Sequence, residues 1–208
     1  MELTGATVDQ VRLKAADIVR RGGLIAFRTD TFYGLGADPH NAPAVRRIFE
    51  LKGREEGKPI LVLISDVELV PSFLTNPSAQ FSSIAERFWP GPLTLIGIAP
   101  DELPHELTAG TGTVGIRLPA GEEVRALLRA CGGALTATSA NPAGQPPARS
   151  AEDVGRYFSD GIDLVVDDGE VTATQPSTVL DLSGESPKLI REGAVSRAEL
   201  DEFLHLSP

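Results

Sequence analysis

Gly22-Gly23-Leu24-Ile25-Ala26-Phe27, followed at once by Thr29-Asp30-Thr31-Phe32-Tyr33-Gly34-Leu35-Gly36 and then by Asn41-Ala42-Pro43, is the stretch that decides the fold. Two glycines stop a helix, four apolar residues make a buried strand, and a polar loop follows directly. Asn41 then caps a new helix, with Pro43 in its first turn. Upstream, Thr7 caps a helix whose Val11, Ala15, Ile18 and Val19 recur at helical spacing. Downstream, Ala44, Val45, Ile48 and Phe49 share one face of the second helix, which Gly53 ends just after Lys52.

The same alternation continues along the chain. Pro59 opens the apolar run Ile60-Leu61-Val62-Leu63-Ile64, and Ile84, Ala85 and Phe88 mark a helix stopped by Trp89-Pro90-Gly91-Pro92. Strands are expected over residues 93–99 and 114–118, then a helix with Val124, Leu127, Leu128 and Cys131 inward. A short strand over 134–138 runs into the loop 139–147, with further strands at 163–166, 178–182 and 188–191. Ser196 caps a closing helix that buries Leu200, Phe203 and Leu204. Helices and strands that alternate irregularly predict an α/β (α+β) layer fold with a mixed parallel/antiparallel sheet, as one domain over residues 1–208.

Composition narrows the function. The 208 residues are 41% hydrophobic and 23% charged, which excludes a disordered tail or a fibre. Lys and Arg number 19 against 29 Asp and Glu, a net charge of −10 that argues against non-specific nucleic-acid binding. Cys131 stands alone, so no intramolecular disulfide and no Cys-based zinc cluster can form. His40, His105 and His205 match no metal-ligand spacing. The N-terminus lacks a signal-peptide pattern, and no apolar run reaches the about 18 residues of a membrane span. A cytoplasmic protein is the expectation.

The usual nucleotide motifs are missing: no P-loop, no third glycine after Gly34-Leu35-Gly36 or Gly110-Thr111-Gly112, and no Gly-x-Ser-x-Gly elbow. Chemistry must then come from polar clusters at the ends of elements. Thr29-Asp30-Thr31 with Tyr33 lies at a strand's carboxyl end, where ligands gather in α/β sheets; it also reads as a turn satisfying its own backbone. Lys52, Arg54 and Lys58, in a turn bounded by Gly53, Gly57 and Pro59, read as a polyphosphate clamp or as a solvated surface turn. The strand end Thr136-Ala137-Thr138-Ser139, with Asn141, lets backbone and hydroxyl groups approach a ligand; an Asn-Pro turn is the plainer reading. Arg117, between Ile116 and Leu118, must pair with a carboxylate of the protein or await an anion, and Arg191 raises the same question.

Together these stretches resemble the YrdC-type threonylcarbamoyl-AMP synthase family, from about Gly22 to Gly193. The most specific part is the paired signature Lys-x-Arg and Ser-x-Asn, met by Lys52, Arg54, Ser139 and Asn141. Around it stand Thr-Asp-Thr-Phe-Tyr-Gly-Leu-Gly, Trp-Pro-Gly-Pro-Leu-Thr, Val-Gly-Ile-Arg-Leu-Pro, Pro-Ser-Thr-Val and Ile-Arg-Glu-Gly. The resemblance implies a curved, twisted sheet with a concave, locally basic active-site cavity. It implies a nucleotidyltransferase that joins L-threonine, bicarbonate or CO2, and ATP into threonylcarbamoyl-AMP, releasing pyrophosphate. That product feeds the N6-threonylcarbamoyladenosine modification of tRNA, through transient contact with a transferase complex; tRNA binding by this chain would be weak or indirect.

By the same resemblance, Thr31, Arg117, Ala137 (through its backbone) and Ser177 hold L-threonine. Arg54, Lys58, Thr113, Ser139, Pro147 and Arg191 line the ATP site, and Lys52 and Asn141 complete the catalytic tetrad. Mg2+ is implied with ATP, bound mainly through phosphates, so that no protein metal site is expected. Arg28, Phe32 and Leu63 depart from the family pattern and bear on the shape of the threonine pocket. The loop 141–149 is the segment able to serve as a lid. A double-stranded RNA or nucleotide-binding module of the same fold, without synthase activity, is the alternative. A related carbamoyl-phosphate-dependent adenylating domain usually lies in much longer chains.

Overall fold

The computed structural model describes residues 7–53 and 59–204. In chain order the helices are α1 (Val8–Arg20), α2 (Ala42–Lys52), α3 (Ala79–Phe88), α4 (His105–Thr108), α5 (Glu122–Ala130), α6 (Ala151–Tyr157) and α7 (Arg197–Leu204). The strands are β1 (Ile25–Arg28), β2 (Tyr33–Gly36), β3 (Val62–Ile64), β4 (Leu93–Ile98), β5 (Thr113–Arg117), β6 (Ala134–Thr136), β7 (Thr138–Ser139), β8 (Leu164–Val166), β9 (Thr178–Asp181) and β10 (Lys188–Arg191). The caps read from sequence are in place. Thr7 and Gln10 form a reciprocal capping box, and the Asn41 carboxamide oxygen accepts from the Ala44 N–H at 3.1 Å. Gly53 ends α2 in the left-handed region at φ 56°, where a Cβ would be strained.

Two mixed sheets form, a four-stranded one ordered β7-β2-β1-β8 and a six-stranded one ordered β10-β9-β4-β5-β3-β6. One stretch belongs to both. β6 pairs with β3 in the larger sheet, and two residues later β7 pairs with β2 in the smaller. Ala137 is the corner. Beside it the buried Thr136 hydroxyl accepts from the Ala37 N–H at 2.8 Å and donates to the Leu35 carbonyl at 3.3 Å, tying the sheets together. Each such bond contributes about 1 kcal/mol net and leaves no buried polar group unmatched.

Strand alternation then sorts the residues into two faces. Ala26, Leu35, Val62, Ile64, Leu95, Ile116 and Leu180 join one core with Val45 and Ile48 of α2, Ile84 of α3, Val154 of α6 and Leu200 of α7. Ile25, Phe27, Leu63 and Leu135 face the other way, against Ala15 and Val19 of α1 and Val124, Leu127 and Leu128 of α5. These two helices cover the second face at β1, β3 and β6 but not at β4, β9 and β10. The bare part of that face carries the site.

Several expectations needed correction. The polar segment after β1 is a hairpin loop of only four residues, because Tyr33–Gly36 forms β2 opposite β1. The expected strand over 134–138 is two strands broken at Ala137, since its ends pair in different sheets. The apolar run from Ile60 is extended only from Val62, although Ile60 itself is buried. Phe203, read as buried, is 43% exposed and meets Phe88 edge-on at 6.2 Å. α4, α6 and the 3-10 turn Val67–Ser72 had no counterpart in the sequence reading.

Candidate active site

A hollow of about 860 Å³ opens on the bare face, floored by β4, β5 and β9 and walled by the β1–β2 loop, residues 59–61, the β7 end and β10. Thr94 and Ile96, Gly115 and Arg117, and Ser177 with Val179 point into it because each strand contributes alternate residues. The rim adds Thr29, Thr31, Phe32, Ser139, Pro147, Ile190 and Arg191.

Thr29 organises the hairpin loop. Its hydroxyl accepts from the N–H groups of Thr31 (3.1 Å) and Phe32 (3.2 Å) and donates to the Phe32 carbonyl at 2.6 Å. The self-satisfying turn and the ligand-facing loop are thus the same object: Thr29 closes it, and Thr31 is left facing the hollow. Tyr33 does not offer its phenol to a ligand, because its O–H donates to the Gly169 carbonyl at 2.8 Å and lies 3.3 Å from Asp167. Burial, then the Asp167 charge, raises the Tyr33 pKa far above its ordinary value.

Arg117 is 2% exposed, and a protein carboxylate answers it. Its Nη1 donates to Asp30 Oδ1 at 2.5 Å, and Asp30 Oδ2 accepts from the Ala120 N–H at 3.4 Å. Asp30 sits behind the wall, outside the lining. On the other edge of the guanidinium, Nη2 reaches Thr31 Oγ1 only at 3.5 Å and the buried Nε has no partner. Nε and Nη2 share that edge of the guanidinium as two parallel donors, a pairing whose geometry matches a carboxylate.

Arg191 arrives by a different device. β9 and β10 pair as Lys188 with Asp181 and Leu189 with Leu180, then as Arg191 with Val179. Ile190 is an extra residue, a β-bulge. With regular alternation Arg191 would oppose Thr178 and point into the core; the bulge puts it opposite Val179, on the hollow's face. There its Nε and Nη2 both donate to the Ser177 carbonyl, at 3.1 and 2.8 Å, and Nη2 reaches Ser177 Oγ at 3.2 Å. Burial first, and then the charge of Arg117, lower the Arg191 pKa from its ordinary value. Among the described residues no carboxylate lies within ion-pair distance of Arg191. Ser177 Oγ in turn lies 3.0 Å from Thr94 Oγ1, so Arg191, Ser177 and Thr94 form one polar chain on the floor.

Behind this floor, Thr178 Oγ1 accepts from the N–H groups of Gly193 (2.9 Å) and Val195 (3.0 Å) and donates to the Val195 carbonyl at 2.5 Å. A Cβ on Gly193 would stand 2.3 Å from the Pro176 oxygen. This close crossing of backbones needs glycine.

Lys52 and Asn141 are buried, at 5% and 8% exposure, and neither lines the hollow. Lys52 Nζ donates to the carbonyls of Ser139 and Asn141, the latter at 2.6 Å, and lies 3.5 Å from Asn141 Oδ1. Of the expected residues, Thr31, Arg117, Ala137, Ser139, Pro147, Ser177 and Arg191 share the one hollow. The Ala137 N–H is already committed to the Leu61 carbonyl at 2.8 Å, so a backbone contribution from Ala137 cannot be that donor. Thr113 is on the same strand face as Gly115 and Arg117 but lies beyond the lining, its hydroxyl 2.9 Å from that of Thr111. Arg54 and Lys58, and with them the expected clamp, lie outside the described residues, as does His205. Sequence reasoning placed Asp30 in the polar loop but missed it as the partner of Arg117, and it missed Thr94 and Ile190 in the lining. Only Asp30 carried a signal, in the requirement that a buried arginine find a carboxylate.

The family model Sua5_yciO_yrdC, described as "Telomere recombination", matches residues 17–193. The chain belongs to this family. A Pyrococcus abyssi relative named threonylcarbamoyl-AMP synthase is 37% identical over 190 residues, 91% of this chain and 56% of that protein. A Thiobacillus denitrificans relative of the same name is 41% identical over 166 residues, 79% of this chain and 87% of that one. The crystal structure of P. abyssi Sua5 complexed with L-threonine superposes with a TM-score of 0.89 at 36% identity, covering 94% of this chain and 57% of the other. The chain thus spans little more than half of the longer relatives.

Within the family's sequence runs the structure separates scaffold from site. In Trp-Pro-Gly-Pro the Trp89 indole N–H is spent on the Leu93 carbonyl at 2.7 Å, and a Cβ on Gly91 would stand 2.4 Å from the Phe88 oxygen, so that run is architectural. Of the three departures from the family pattern only Phe32 lines the hollow. Leu63 is sealed between β3 and α5, and Arg28 ends β1 outside the lining. No helix among the described residues is long and apolar enough to cross a membrane.

Proposed function

We propose that this chain makes threonylcarbamoyl-AMP from L-threonine, CO2 or bicarbonate, and ATP. The observation that carries the reading is the convergence of Arg117 and Arg191 on one hydroxyl-lined hollow, each held from behind or below. Relatives that bear this enzyme's name, and a Sua5 structure complexed with L-threonine, support it. The Nε–Nη2 edge of Arg117 takes the threonine carboxylate, while Thr31 and Ser177 orient the rest of the amino acid against Ala137. Ser139, Pro147 and Arg191 border the nucleotide, and Arg54 and Lys58 belong with its phosphates. Thr113, two residues before Gly115 on the same face of β5, is assigned to the nucleotide with them.

The threonine amine, once neutral, bonds to the carbon of CO2 and loses a proton to give a carbamate. A carbamate oxygen then bonds to the α-phosphorus as the bond to the β-phosphate oxygen breaks and pyrophosphate leaves. Two anions must approach each other, so fixed cations aimed at the meeting point lower the barrier, and positioning in one cavity supplies much of the rest. Mg2+ travels with the triphosphate and offsets its charge. The described residues contain no cluster of three or more metal-ligating side chains, and none is assigned to the ion. On this reading the chain acts in the cytoplasm as a catalytic domain and passes its product to the transferase complex that modifies tRNA.

Purified protein with ATP, Mg2+ and bicarbonate is expected to release pyrophosphate only when L-threonine is added. No stimulation, or equal stimulation by serine and valine, would defeat the substrate assignment. RNA affinity with a steep salt dependence and no turnover would favour a binding module instead.

A further inference from the structure

Two members of the Lys-x-Arg and Ser-x-Asn signature never reach the hollow. α2 delivers Lys52 from its last turn to the back of the 139–145 segment, where Nζ is enclosed by the Ser139 carbonyl, the Asn141 carbonyl and Asn141 Oδ1. The Lys52 carbonyl accepts from the Ala143 N–H at 3.0 Å, so the helix end grips the segment through side chain and backbone at once. Asn141 continues the grip. Its Nδ2 donates to the Pro142 carbonyl at 3.1 Å and the Gln145 carbonyl at 2.5 Å, and its N–H to the Ser139 carbonyl at 2.9 Å. With these groups turned inward, Ser139 stands at the wall, held on its other side by the two-residue strand β7 against Gly34 and by the Ala140 N–H, which donates to the Tyr33 carbonyl at 2.8 Å.

We propose that Lys52 and Asn141 are positioning residues. They hold the 139–145 backbone so that Ser139 presents its hydroxyl to the ligand, and they do not themselves touch it. The inference deepens the reading of Ser139 as part of the nucleotide wall and rests on it. A strand of two residues has too few ladder bonds to fix its own end, so the orientation must come from elsewhere. A buried ammonium among oxygens of two residues is a compact, short-range clamp.

Two measurements test this on the full chain. The first is amide hydrogen exchange. Lys52→Met keeps most of the side-chain volume and removes the ammonium, so exchange across residues 139–145 should quicken at least tenfold while α1 and β1 stay unchanged. This readout does not depend on any ligand, and an unchanged segment would overturn the proposal. The second is a double-mutant cycle on the affinity for a non-hydrolysable ATP analogue with Mg2+, using Lys52→Met, Ser139→Ala and both together. If Lys52 acts through Ser139, each single change costs about tenfold and the pair costs no more than the worse single. A pair costing about a hundredfold would mean that Lys52 makes its own contact, and the proposal would fail. Should Lys52→Met melt below the assay temperature, Asn141→Ala takes its place in both experiments. If neither folds, these residues hold up the fold rather than Ser139, which also overturns the proposal. Wild-type protein that binds no ATP analogue would refute the nucleotide reading, while the exchange result still decides the positioning role.

Discussion

Replacing Gly193 with alanine should cost this protein about 4 kcal/mol, although the change adds a single methyl group. The added Cβ would lie 2.3 Å from the Pro176 oxygen and 2.8 Å from the Ser177 carbonyl carbon, both backbone atoms with no rotamer to give way. The 193–195 strand of chain must therefore lift off 176–178. Four hydrogen bonds cross that contact: Ala194 N–H to the Pro176 carbonyl at 2.9 Å, the Gly193 and Val195 N–H groups to Thr178 Oγ1 at 2.9 and 3.0 Å, and the Thr178 hydroxyl to the Val195 carbonyl at 2.5 Å. At about 1 kcal/mol net apiece their loss gives about 4 kcal/mol, on the order of a thousandfold in the folding equilibrium. Urea unfolding reads this as a lower midpoint at unchanged slope. Gly155, in α6, has nothing within 4 Å of where a Cβ would go, so Gly155→Ala should instead stabilise by about 0.5–1 kcal/mol through helix propensity. Because Ser177 and Arg191 flank the Gly193 contact, threonine-dependent pyrophosphate release should fall with Gly193→Ala and be kept with Gly155→Ala. A loss below about 1 kcal/mol at Gly193, or the same response at both glycines, would refute the close-crossing argument.

Two further expectations concern buried polar groups. Arg117→Met strands the Asp30 carboxylate, whose side chain is 15% exposed, and should cost about 3–5 kcal/mol. Adding Asp30→Asn should recover most of that loss in a thermal or chemical melt, and simple additivity of the two changes would show that the pair is not coupled. Tyr33 and Cys131 both predict a weakening on the alkaline side. The folded-state pKa of each is raised, Tyr33 by burial and Asp167 and Cys131 by burial to about 12. Stabilisation from Tyr33 is complete below the ordinary tyrosine value of about 10 and is lost above it, at up to about 1.4 kcal/mol per pH unit. The difference between wild type and Tyr33→Phe isolates that share from the cysteine's. Melts of the two proteins that run parallel above pH 10 would contradict the assignment.

How much of this was legible depended on whether the cause was local. Thr7, Asn41 and Gly53 announce their helix ends because caps act within a turn, and Val124, Leu127 and Leu128 mark an inner face because helical spacing is a local property. β7 was not legible: two residues carry no alternation, and what makes them a strand is Gly34 and Leu35, far away in sequence. The dilemma of Arg117 could be posed from Ile116 and Leu118, but its answer, Asp30, comes from a hairpin loop of the other sheet. Lys52 shows the limit most plainly. A lysine at a helix C-terminus already has a sufficient local explanation in the helix dipole, and nothing nearby in the chain reveals that the 139–141 carbonyls close over it.

The inserted Ile190 has a use that a regular ladder cannot provide. Ordinary extended chain sends consecutive side chains to opposite sides, so an oily surface and a positive charge on the same side must be two positions apart. Here Ile190 and Arg191, adjacent in the chain, both border the same opening. One additional residue in an outermost strand would be enough to install the same doublet on another protein's sheet.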